Sequence, residues 1–109
     1  MNKNELFYED YRTIVLNEIK GDNPYYGLID DLDITKYDAD QLKCVSKGRG
    51  DNFIFGNIDD LDPVEYSSGQ MYWVSMGRGY SKEFGNIDDL DPAKNCVFTM
   101  HSVMMTRGQ

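Results

Sequence analysis

The sequence predicts an α+β fold, predominantly antiparallel β, made of three 29-residue β-hairpin-plus-helical-turn repeats behind a short N-terminal helix. Three observations predict it. The word Gly56-Asn57-Ile58-Asp59-Asp60-Leu61-Asp62-Pro63 returns unchanged as Gly85-Asn86-Ile87-Asp88-Asp89-Leu90-Asp91-Pro92, and a near copy, Gly27-Leu28-Ile29-Asp30-Asp31-Leu32-Asp33, stands 29 residues before it. Gly-rich segments recur at one phase of that period, each between apolar or aromatic runs. Within the β-branched run Thr13–Ile19, the segment Thr13–Glu18 falls, by the same shift, on Leu42–Lys47, Met71–Met76 and Met100–Met105. A β-branched segment favours a strand, so the repeated segments are read as strands.

The elements follow in order. Leu6, Phe7 and Tyr11 fall near helical spacing and Asn4 suits an N-cap, so a short helix is expected over about 4–11 with a strand after it. The three repeats are 21–49, 50–78 and 79–107, within a single domain of 1–109. Each opens on a Gly-rich turn: Lys20-Gly21-Asp22-Asn23-Pro24, Gly48-Arg49-Gly50-Asp51-Asn52, Gly77-Arg78-Gly79. Glycine admits positive φ there, which is the chemistry of a β-hairpin turn. The acidic word then reads as one helical turn. Ile58 and Leu61, three apart, share a side of it, Asn57 caps it, and Pro63 ends it.

The alignment also names a core. Leu16, Val45, Val74 and Val103 share one phase; Leu42, Met71 and Met100 another; Tyr26, Phe55 and Phe84 a third; Ile29, Ile58 and Ile87 a fourth. One hairpin cannot bury such a face alone, so neighbouring units must pack together. A closed antiparallel assembly is the first expectation and a solenoid of parallel strands the second. The leucine-rich-repeat pattern is absent, although the period lies in its range.

Charge narrows the function. With 19 acidic residues against 11 basic and a net charge of −8, the chain is a poor direct ligand for nucleic acid or an anionic membrane. Cys44 and Cys96 lie at different phases and in no Cys-x-x-Cys pair, so they read as small core residues in a reducing compartment. The N-terminus lacks a signal-peptide pattern and no apolar run suits a membrane span, so a cytoplasmic location is expected.

The candidate partner-binding residues are the aspartates of the three words: Asp30, Asp31, Asp33, Asp59, Asp60, Asp62, Asp88, Asp89 and Asp91. Facing solvent at regular intervals, they form an acidic surface suited to a basic protein partner. The basic residues Lys20, Arg49, Arg78 and Arg107 share one phase, and ion pairing with a neighbouring repeat's aspartate is their expected role. Arg49-Gly50-Asp51 matches an adhesion tripeptide but reads as turn chemistry. The single histidine, His101, has no nucleophile or zinc partner in a recognisable arrangement.

The expectation is therefore a non-catalytic acidic binding protein with no catalytic residue, no metal ligand and no cofactor. Its concrete form is a nucleic-acid-mimicking decoy. It would inhibit a basic nucleic-acid-binding protein or nucleic-acid-processing enzyme, as small acidic inhibitors of phages and mobile elements do as a class. The alternative is a cation-binding (Ca²⁺) structural repeat, since hard cations want several converging carboxylates. The spacing is nevertheless not that of an EF-hand loop.

Overall fold

The computed structural model describes residues 3–20, 24–51, 54–79 and 83–108. It corrects the expected fold class at once. Among the described residues there are four α-helices and no strand: α1 (Lys3–Lys20), α2 (Ala39–Arg49), α3 (Ser68–Arg78) and α4 (Val97–Arg107), with a 3₁₀ turn at Ile34–Lys36. The described residues form no β-hairpin repeats. The short helix and following strand expected at the N-terminus are one 18-residue helix. Gly21, Asp22, Asn23 and Asn52, all used above, lie outside the described residues, as do the side chains of Asn4, Leu6 and Phe7.

The glycines explain the error. A hairpin turn of the expected kind needs positive φ, and no described residue has it. Gly48 lies inside α2, and Gly50 is its C-cap with extended backbone at φ −78° and ψ 176°. Close approach is what requires the glycine here. A Cβ on Gly48 would lie 2.5 Å from the carbonyl oxygen of Gly56, and one on Gly77 would lie 2.7 Å from that of Gly85.

Each 29-residue period is one helix plus a loop that runs back along it. The start of the loop is bonded to the end of the helix. Gly27 N–H donates to the Ser46 carbonyl, and the Ser46 hydroxyl returns a bond to the Gly27 carbonyl. Gly56 and Ser75 repeat both bonds. In the last unit Gly85 N–H donates to Met104, which has no hydroxyl to answer. The acidic word is not a helical turn but a single tight turn, closed by Leu61 N–H on the Ile58 carbonyl and likewise by Leu32 on Ile29 and Leu90 on Ile87.

The loop ends in a helix cap. Asp38 accepts from Gln41 N–H while the Gln41 side chain accepts from Asp38 N–H, and Ser67 and Gln70 form the same capping box. Such a box satisfies two otherwise unpartnered amides at the helix start. Cys96 makes no side-chain cap on α4.

Helix α1 packs on α2, α2 on α3 and α3 on α4. The same bonds recur at the same positions, so the units form a short solenoid with helices running in one direction. Most of the positions that the alignment named lie in the core, with Leu16 and Val103 only partly buried. Ile29, Ile58, Ile87, Leu42, Met71, Met100, Val45 and Val74 are buried, with Tyr26, Phe55 and Phe84 packed against them. Thr13, at the phase of Leu42, is exposed, because α1 continues as helix where the other units have a loop. Among the described residues no helix is long and apolar enough to cross a membrane.

Candidate functional site

The unit boundary is held by the arginine that ends each helix. Arg49 grips Asp31 of its own loop through both terminal nitrogens, at 2.6 and 3.0 Å, and donates to the Leu28 carbonyl at 2.9 Å. Its Nε reaches forward to Asp59 of the next unit at 2.8 Å. Arg78 repeats the set on Asp60, the Asn57 carbonyl and Asp88. Arg107 holds Asp89 and the Asn86 carbonyl and makes no forward bond among the described residues. Arg49 and Arg78 therefore take the expected pair with a neighbouring repeat's aspartate, whereas Lys20 forms no such pair among the described residues.

Planar, two-pronged contacts of this kind are stronger than point-charge pairs. The arginine bonds hold Asp31, Asp60 and Asp89 below the usual carboxylate range, and the carboxylates raise the arginines further. The aspartates nevertheless remain open to solvent. The side chains of Asp31, Asp60 and Asp89 are 64–70% exposed and those of Asp59 and Asp88 44–45%.

The nine sequence-selected aspartates separate into two groups. Asp30, Asp31, Asp59, Asp60, Asp88 and Asp89 line the edge where the helices end. Asp30 forms no ion pair among the described residues and is exposed. Asp33, Asp62 and Asp91 instead fold their own chain: Asp33 accepts from the Thr35 amide and hydroxyl, Asp62 from Val64 N–H and Asp91 from Ala93 N–H. They are turn residues placed towards the helix starts, and the structure does not bring them into the edge row.

The edge also carries apolar surface. Tyr25, Leu28 and Ile54 are 50–64% exposed. Leu28 carries the carbonyl that Arg49 binds, and the Tyr25 and Ile54 carbonyls lie against the caps Gly50 and Gly79. Helix C-termini add their partial negative charge at the same edge.

Sequence reasoning missed a second ladder. Gln41 Nε2 donates to the carbonyls of Pro63 and Tyr66, and Gln70 Nε2 to those of Pro92 and Asn95. Arg12, at the same phase, donates to Ile34 and Tyr37. The signal was legible as Gln at one phase, three residues after a capping Asp or Ser.

The remaining candidates have structural surroundings. His101 lies against Trp73, ring centres 4.6 Å apart, and Trp73 meets Tyr72 edge-on. Burial pushes the Cys44 thiol up to about 11, while Cys96 is exposed and lowered by the Thr99 hydroxyl and nearby amides. Among the described residues no group of three or more His, Cys, Asp or Glu is placed to hold a metal ion. Comparison with protein-family models, curated proteins and solved structures finds no match to this chain.

Proposed function

We propose that this is a non-catalytic binding protein whose acidic edge receives a basic, amphipathic segment of a protein partner. One observation carries the reading: Asp31, Asp59, Asp60, Asp88 and Asp89 are each fixed by an arginine yet keep much of their surface open. Acids fixed before binding lose little freedom on binding, which favours affinity. Six edge aspartates stand against Lys20, Arg49, Arg78 and Arg107, so the row stays negative. Tyr25, Leu28 and Ile54 supply apolar contact beside it. In the decoy form of this reading the partner is a nucleic-acid-binding protein and the carboxylates occupy the place of phosphates. Among the described residues no cluster of ligands favours the calcium reading.

The test is a titration of a labelled Lys/Arg-rich amphipathic peptide, followed by fluorescence anisotropy at low and physiological salt. A scrambled peptide of equal charge and a neutral analogue serve as controls. Binding that weakens with salt, weakens in Asp30→Asn and weakens in Leu28→Ser supports the reading, because neither substitution touches an arginine pair. For the decoy form, duplex DNA must compete with this protein for a nucleic-acid-binding target. Equal binding to the neutral analogue overturns the proposal.

A further inference from the structure

The three helix-to-helix boundaries use the same phases of the repeat and are filled differently. Between α1 and α2 the Tyr11 hydroxyl donates to Asp40, and Glu18 pairs with Lys43 at 3.7 Å. Between α3 and α4, Val97 closes on Gly69, and the Trp73 ring lies on His101 with centres 4.6 Å apart. Between α2 and α3 the phase of Tyr11 carries Asp40, which faces Gly69 at the phase of Asp40, and Cys44 stands where the next boundary has Trp73. Glycine brings no side chain to this boundary, and a thiol is far smaller than an indole.

A cavity of about 290 Å³ opens at this middle boundary. It is lined by Asp40, Lys43, Cys44 and Lys47 of α2 and by Gly69 and Tyr72 of α3. Both walls belong to internal units, with α1 packed on one side and α4 on the other. None of the edge aspartates lines it.

The walls divide by chemistry. The Tyr72 ring is held edge-on by Phe55 and by Trp73, with centres 5.5 and 4.8 Å apart. The Cys44 thiol is buried and turned to the Ser68 carbonyl at 3.7 Å, and burial keeps it protonated. Lys43 and Lys47 are half-buried and stand one helical turn apart on the same wall. Lys47 Nζ lies 5.1 Å from the centre of the Phe55 ring. Two ammonium groups outnumber the Asp40 carboxylate, so the lining is net positive in a chain of net charge −8. Ligand sites commonly lie between helices and are apolar with a few placed charges, over roughly 300–1,000 Å³. This cavity falls at the small end of that range.

We propose that it binds a small aromatic carboxylate. The ligand's ring lies against Tyr72 and the neutral Cys44 thiol, and its carboxylate lies between the ammonium groups of Lys43 and Lys47. Ring-to-ring contact and charge-assisted hydrogen bonds supply the attraction. Asp40 is seven residues from Lys47, about 10 Å along the helix, and repels a second acidic group at that end. The site therefore favours a monoanion.

The experiment is an amide NMR titration of the full chain with 2-naphthoate, with the neutral 2-naphthamide as its twin. Saturable shifts at residues 40–47 and 68–73 are expected, with a Kd on the order of 1 mM for so small a ligand. The amide should bind about tenfold more weakly, and a Lys43→Gln/Lys47→Gln double variant should bring naphthoate down to that level. Cys44→Trp, which supplies the indole that fills the next boundary, should abolish binding while the circular dichroism spectrum stays helical. If Cys44→Trp loses that spectrum, the lysine variant decides alone. Equal binding of acid and amide overturns the proposal. So do shifts that fall elsewhere, binding undiminished in the lysine variant, or binding retained by a folded Cys44→Trp.

Discussion

Arg78 Nε, in the last turn of α3, donates to Asp88 of the following unit's loop at 2.7 Å. The same guanidinium holds Asp60 in its own loop through both terminal nitrogens. One side chain thus closes its unit and joins it to the next. Arg78→Ala should cost about 2 kcal/mol, since charged hydrogen bonds to a half-sheltered guanidinium are lost. Arg78→Lys should lose most of the same amount, because an ammonium cannot make the fork. Arg107→Ala should cost less, having no forward bond to lose. Denaturant melts rank the three.

The pH response has a fixed sign. The folded-state values of Asp31, Asp60 and Asp89 lie below 3.8 because of their arginine bonds. Their stabilisation is therefore fully present above the unfolded-state value and is lost as pH falls through the folded values. Melting temperature should hold steady down to about pH 5 and decline below it. The decline should be shallower in Arg78→Ala. Acid that stabilises the wild-type protein would contradict the pairing.

Gly48→Ala tests the close approach of units. In an ordinary helix interior this change stabilises by about 0.5–1 kcal/mol. Here the added methyl meets the Gly56 carbonyl, which is backbone and cannot swing away. A net destabilisation of about 1–3 kcal/mol is expected. Thermal melts of the single variant read the sign directly.

Gln70→Ala removes the cap bond to Ser67 N–H and the donors to the Pro92 and Asn95 carbonyls. The side chain is buried, so a loss of about 1–3 kcal/mol is expected. Gln70→Glu should be worse, because it sets a carboxylate against two carbonyl oxygens. Chemical denaturation of the pair checks the order.

Part of this was legible in the sequence and part was not. The 29-residue period marked the core phases, because residues at one phase of the three repeats meet like surroundings whatever the backbone does. The shape of the backbone was hidden by the surroundings of α3. Met71, Val74 and Met76 are buried, and Tyr72 and Trp73 are partly covered by neighbours. A helix covered on several sides loses its polar stripe and reads as a β-like apolar run. The corrective signals were local: Asp38-x-x-Gln41 and Ser67-x-x-Gln70 mark helix starts. The pairing of Arg49 and Arg78 was readable from their phase. That these pairs occupy Asp31, Asp59, Asp60 and Asp88 was not, because which aspartate a guanidinium reaches depends on how the loop folds back.

The most direct measurement for the acidic edge is a two-dimensional amide NMR titration with the basic amphipathic peptide. Shifts concentrated at residues 25–31, 54–60 and 86–89, and suppressed by salt, are expected. An unchanged spectrum, or shifts confined to the helix N-termini and the outer face of α4, would contradict a partner site at this edge.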